Sequence, residues 1–82
     1  MGTRLELIAR LEQRSGEIAG QIRCDIIVLN NVVQNAGVKY YSYNVRERSF
    51  QGMRGWQRMS NYPIDQVSNY AIGKILEELE NY

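Results

Sequence analysis

Residues 38–62 read VKYYSYNVRERSFQGMRGWQRMSNY, and this stretch decides how the chain folds and where its chemistry lies. Its first part, residues 38–45, is rich in aromatic and β-branched residues, which favour a strand. The part that follows, to residue 59, is punctuated by Gly52 and Gly55. It predicts either a second strand that completes a short antiparallel hairpin or a structured loop.

The segment before this stretch has a helical pattern. From Thr3 to Ala36 apolar residues recur at intervals of three and four, which predicts a helix. About 34 residues is long for one helix in a small chain, so a break is considered at Ser15, which can cap a second helix. The apolar block at residues 26–29 is compatible with a strand, but the continuing helical spacing favours a buried helix. Small residues at positions 15, 16, 19 and 20 predict the close approach of another helix.

The segment after the stretch predicts a C-terminal helix that begins at Pro63. Proline suits the first helical position, and Asp65 supports the first turn. Three glutamates, Glu77, Glu78 and Glu80, crowd the C-terminal end, where the helix dipole disfavours anions. Their presence indicates a basic surface nearby, and residues 38–62 are expected to supply it.

These patterns predict an α+β fold in one domain over residues 1–82. Residues 1–37 are its helical scaffold, residues 38–62 its Arg-, aromatic- and Gly-rich binding segment, and residues 63–82 its last helix. A chain of 82 residues has a thin core. A homo-oligomer is therefore expected, with association through the N-terminal helix.

The composition argues against several classes of function. The chain has no histidine and one cysteine, Cys24, so an internal disulfide is excluded and neither a zinc site nor another cofactor site is expected. Without histidine the usual general base is missing, and Cys24 is expected to be inert within an apolar helix, so the protein is predicted not to be an enzyme. The N-terminus has no uninterrupted apolar run, which predicts a cytoplasmic protein without a membrane partner.

The middle segment holds the candidate site. Its cations outnumber its one carboxylate, Glu47, and give residues 38–62 a net charge of +4. Arginine forks match phosphate, aromatic faces stack on bases, and glycines allow close backbone approach. The first hypothesis is a binding protein for a phosphate-bearing ligand, either a nucleotide or single-stranded nucleic acid. The residues expected to bind it are Tyr43, Arg46, Arg48, Arg54, Trp56, Arg58 and Asn61.

Two other interpretations stand beside this one. The tyrosines and Phe50 can simply form a sheet face packed on the helices, with the arginines paired to the acidic C-terminal helix. Arg, Trp and Tyr are also enriched in protein-interface hot spots, so a protein-interaction module, adaptor or inhibitor is the alternative function. Small size, a helical framework and one Arg/aromatic-rich segment are also features expected of many small phage or mobile-element proteins.

Overall fold

The computed structural model describes residues 3–30, 40–54 and 57–82, with the backbone alone at residues 30, 40, 41, 53, 54 and 57–60. The elements in chain order are α1 (Thr3–Ile22), β1 (Ile26–Asn30), β2 (Tyr40–Asn44), β3 (Ser49–Arg54), β4 (Gln57–Pro63), a 3-10 helix (Ile64–Gln66) and α2 (Asn69–Glu80). Along the sequence the four strands lie between the two α-helices, and the predicted α+β fold is confirmed.

The strands form one antiparallel sheet in the order β1-β2-β3-β4. Each strand pairs with the next one along the chain, so the described part of the sheet is a simple meander with β1 and β4 at its edges. The predicted hairpin at residues 38–59 is present as β2 and β3, and β4 and β1 extend it on either side. A register irregularity lies between β3 and β4 at residues 51–53.

Both helices pack against one face of the sheet. Alternate strand residues reach this face, among them Ile27, Leu29, Tyr43 and Phe50, and all four are buried. They meet a buried stripe from the helices and the 3-10 turn, formed by Leu11, Ile18, Ile64, Ile72, Ile75, Leu76 and Leu79. The opposite face of the sheet therefore remains outside this core.

Residues 26–29 form a strand, so the helix predicted there is wrong. All four residues are apolar, and the expected alternation between faces is invisible in such a run. In the structure Ile27 and Leu29 are buried, while Ile26 and Val28 are about half exposed on the other face. Pairing with β2 and the β-branched side chains at positions 26–28 favour the strand over the helical spacing.

The chain leaves α1 through a tight reversal after Ile22. Arg23 has a positive φ of 54°, and the Cys24 amide donates to the carbonyl of Ala19 at 3.2 Å. This bond and the left-handed residue before it define a Schellman C-cap, which usually carries glycine instead of arginine. The reversal separates α1 from β1 and ends the helix 14 positions before the predicted Ala36.

α1 runs through Ser15 without the break considered there. Ser15 is completely buried on the packed face of α1, and its hydroxyl has no hydrogen-bond partner. A Cβ added at Gly16 or Gly20 would meet nothing within 4 Å. Of the small residues predicted to allow a close helix approach, Ser15 is therefore packed inside the protein, whereas Gly16 and Gly20 face open space.

α2 begins at Asn69, six residues after the predicted start at Pro63. Pro63 ends β4, where an edge strand tolerates its missing amide donor. Ser68 is the true N-cap, since its hydroxyl accepts from the amide of Ala71 at 3.2 Å.

The Arg4 guanidinium holds the connection between β4 and α2. Its Nη1 donates to the Val67 carbonyl at 2.7 Å and to Asn69 Oδ1 at 2.8 Å. Its Nη2 donates to the carbonyl of Asp65 at 2.7 Å. One side chain of α1 thereby satisfies carbonyls of an irregular segment and ties the start of α2 to the first helix.

Replacing Ser15 with alanine is expected to stabilise the protein by about 1 kcal/mol, because the change removes a buried hydroxyl without a partner. The matched change Ser68→Ala removes the cap of α2 and should cost about 1 kcal/mol. Urea unfolding followed by circular dichroism measures both. A loss of stability in Ser15→Ala would mean that the hydroxyl is bonded in the folded protein.

Candidate functional site

The sheet face turned away from the helices carries residues in register rows that cross all four strands. One row joins Ile26, Asn44, Ser49 and Pro63, and the next joins Val28, Ser42, Gln51 and Asn61. Beyond the register shift at Gln51 and Met53, backbone pairing continues through Asn30, Tyr40, Met53 and Arg58, for which the backbone alone is described. We call the first two rows, together with Glu47, the open face.

The open face contains a shallow concavity of about 260 Å³. Most of its lining side chains are neutral and polar, and its residues are Ile26, Ser42, Asn44, Glu47, Ser49, Gln51 and Asn61. Hydroxyl and amide groups both donate and accept hydrogen bonds. At the β1 edge the exposed aliphatic side chains of Ile26 and Val28 adjoin these polar groups. The surface therefore combines directional hydrogen bonding with apolar contact area.

Tyr43 does not reach this surface. Its side chain is buried, and its ring lies 4.4 Å from the ring of its cross-strand neighbour Phe50, at an angle of 37°. A ring held in this way has no free face to stack on a ligand, so the role predicted for Tyr43 is corrected to one in the core. Gly52 is buried in β3 as well.

The two described arginines of the predicted site are paired with carboxylates. Arg46 Nη2 lies 2.7 Å from Asp25 Oδ2, and Arg48 donates to Glu12 Oε1 through both Nε and Nη2. Arg48 also has a positive φ of 55°, so the ion pair holds a strained turn residue. Such pairing lowers the local positive potential on which phosphate binding depends.

At Glu80 the acidic end of α2 is balanced by α1, and a contribution from the middle segment stays a prediction. Arg10 Nη2 lies 2.9 Å from Glu80 Oε1. Arg14 Nε donates to the carbonyl of Leu79 at 3.0 Å, one of the last carbonyls of the helix. A cation near the C-terminus of a helix is favoured by the helix dipole.

Of the remaining predicted site residues, the structure describes the side chain of Asn61 and the backbone alone of Arg54 and Arg58. Asn61 is exposed and lines the concavity, and its role in binding stays a prediction. Arg54 and Arg58 lie on β3 and β4, where register pairs Arg54 with Gln57 and Met53 with Arg58. Trp56 lies outside the described residues.

Sequence reasoning missed most of the open face, namely Ile26, Val28, Ser42, Asn44, Glu47, Ser49 and Gln51. One signal was present: polar residues alternate at positions 42 and 44 and again at 49 and 51, as on a strand with one solvated face. The arginines and aromatic residues of the same segment instead favour a phosphate-binding site, which does not include these polar residues. The sequence does not indicate Ile26 and Val28 as surface residues, because the helical spacing predicts a buried helix at residues 26–29.

Burial and nearby charges act together on the Tyr43 hydroxyl. Burial raises the pKa of Tyr43 from 10.0 to about 12, the Glu12 carboxylate adds to the rise, and the Arg48 guanidinium opposes it. The hydroxyl is therefore neutral at physiological pH. The ion pair between Arg48 and Glu12 links the turn between β2 and β3 to α1.

The described residues form neither a cluster suited to a metal ion nor a helix able to cross a membrane. Across residues 3–30, 40–54 and 57–82, no group of three or more Cys, Asp or Glu side chains is placed to hold a metal ion. Neither described helix combines the length and the apolar content needed to cross a bilayer. Cys24 lies exposed in the reversal after α1, and the apolar helical setting predicted for it is wrong.

The apolar surface that α1 leaves exposed for self-association is smaller than the apolar stripe in its sequence indicates. The apolar stripe of α1 is already used inside the protein, since Leu11 and Ile18 are buried. Leu5 and Ile22 are the large apolar side chains that α1 leaves exposed. Formation of a homo-oligomer stays a prediction.

Comparison of the chain with protein-family models, with curated proteins and with solved structures finds no match. The class to which it belongs is therefore defined by its own architecture. It is an α+β protein in which two helices cover one face of a four-stranded antiparallel meander and leave a polar face open.

The raised pKa of Tyr43 predicts a loss of stability at alkaline pH. The folded state holds the phenol proton more tightly than the unfolded state, so this contribution is complete below pH 10 and is lost as pH rises toward 12. The loss should amount to about 2–3 kcal/mol. Urea unfolding between pH 8 and 11.5 measures it, and Tyr43→Phe should flatten the decline. Tyr70→Phe, at an exposed tyrosine of α2, is the control and should leave the decline unchanged.

Proposed function

We propose that this protein is a non-enzymatic protein-interaction module that binds an extended polypeptide segment across its open face. The observation that carries the proposal is the composition of that face. Rows of neutral hydrogen-bonding side chains adjoin the exposed aliphatic residues Ile26 and Val28. Apolar contact beside a polar, hydrogen-bonding surface is the usual anatomy of a protein interface.

The position of β1 supports the same proposal. In the described part of the chain β1 pairs with β2 alone and ends the sheet. Its sequence IIVLN contains no charge and no proline, the features that usually protect an edge strand from pairing. A partner segment in extended conformation could add backbone hydrogen bonds along this edge while its side chains contact Ile26 and Val28.

The electrostatics of the open face favour a polypeptide over a polyanion. Among the described residues that line the concavity, Glu47 is the one ionisable side chain. Of the described arginines nearby, Arg46 is paired with Asp25 and Arg48 with Glu12. A phosphate placed in the concavity would meet a carboxylate and no described cation, which is unfavourable.

Selection of peptides from a random display library against the immobilised protein tests the proposal. Peptides that bind the open face should lose about tenfold or more in affinity for Val28→Lys, because the bound peptide buries the valine side chain and would meet a charge in its place. The matched control is Leu5→Lys, which places the same charge at an exposed apolar residue of α1. The proposal would be contradicted by peptides that lose affinity for Leu5→Lys and keep it for Val28→Lys. It would also be contradicted if the library yields no peptide whose binding depends on Val28.

A second candidate function is binding of a nucleotide or single-stranded nucleic acid. Backbone register favours it, since β3 and β4 bring Arg54 and Arg58 to the same end of the sheet with Trp56 between them in the chain. Arg58 also stands in the row next to that of Asn61. Guanidinium and indole groups are the ones that hold phosphates and stack on bases.

A thermal-shift screen against nucleotides, cyclic nucleotides and short oligonucleotides tests this second function. A ligand present at a hundred times its Kd should stabilise the folded protein by about 2.7 kcal/mol. Arg54→Ala, Arg58→Ala and Trp56→Ala should each reduce the shift, and added salt should weaken an oligonucleotide strongly. Arg23→Ala, at an exposed arginine beyond the end of α1, is the control. The second function is wrong if no compound raises the melting temperature.

A further inference from the structure

Glu47 is one of the residues that line the concavity. It lies in the turn at residues 45–48 between β2 and β3 and is exposed. The side chain of Asn44 orders this turn, because its Oδ1 accepts from the Glu47 amide at 2.9 Å. The next residue, Arg48, is held to α1 by Glu12. The turn is thus anchored at both ends, and the Glu47 side chain extends from it along the concavity.

The arginines on either side of Glu47 each form an ion pair with another carboxylate. Arg46 pairs with Asp25 and Arg48 pairs with Glu12. Among the described residues, no ion pair engages the Glu47 carboxylate, although it stands between two arginines in the chain. Its carboxylate therefore borders a neutral polar surface without a cation partner among the described side chains. A carboxylate in this setting forms its strongest hydrogen bonds with an ammonium or guanidinium group.

We infer that the segment bound on the open face carries a lysine or arginine whose charged group pairs with Glu47. The inference rests on the proposed function, since it names the partner chemistry for the same surface. Ser42, Asn44, Ser49 and Gln51 supply hydrogen bonds that do not discriminate by charge, whereas Glu47 does. Glu47 thereby sets specificity by favouring a cationic residue at one position and repelling an acidic one.

The test uses peptides selected on the wild-type protein and shown to depend on Val28, synthesised with acetylated N-termini so that a side chain supplies the cation. Each basic residue is replaced in turn, and affinities are measured by fluorescence anisotropy. One replacement should lower affinity about fivefold, and Glu47→Gln should have the same effect on the original peptide but none on the replaced one. Glu6→Gln, at an exposed carboxylate of α1, is the control and should change nothing.

A charge reversal separates recognition from a structural effect of the turn. Glu47→Lys should weaken the original peptide and bind more tightly the peptide in which the critical basic residue is changed to glutamate. Peptides that depend on Val28 but lack a required basic residue, or that ignore Glu47→Gln, would overturn the inference and leave the proposed function standing. A library without Val28-dependent peptides would overturn both.

Discussion

Burial of one sheet face by two helices is the constraint on which the rest of this structure depends. The apolar side chains of α1 and α2 suffice to cover Ile27, Leu29, Tyr43 and Phe50 on one side of the sheet. An antiparallel sheet covered in this way keeps its other face in contact with solvent, and alternate strand residues there are polar. The open face is therefore a direct consequence of how the core is built. Its position opposite the helices also makes it the broad β-surface available to a partner.

Arginine contacts connect the layers that hydrophobic packing brings together. Arg4 binds the connection before α2, Arg14 binds the last turn of α2, and Arg48 joins the β2–β3 turn to α1. Exposed pairs of this kind contribute little stability singly, but they fix the directions of irregular segments. They also neutralise part of the charge that the middle segment shows in sequence. For this reason the function that we propose rests on the neutral face and Glu47 and not on Arg46 and Arg48.

The elements that the sequence predicted well are those whose pattern is local. Helical spacing places α1 and most of α2, and aromatic and β-branched content places β2. The sequence prediction is wrong where the same residues fit both a helix pattern and a strand pattern. Residues 26–29 fit a helix or a strand, and Pro63 suits either the first turn of a helix or the end of an edge strand. Strand pairing and the reversal at Arg23 decide the first case, and the Ser68 cap decides the second.

The sequence by itself determined the α+β class, the strand character of the middle segment and Asn61 as a surface residue. These follow from composition and from periodicities that each segment carries alone. Only the tertiary structure decided that Tyr43 is a core residue, that Arg46 and Arg48 are paired, and that Ile26, Val28, Ser42 and Gln51 share a surface. The physical reason is that register and ion pairing join residues far apart in the chain. Arg48 and Glu12, for example, are separated by 36 positions.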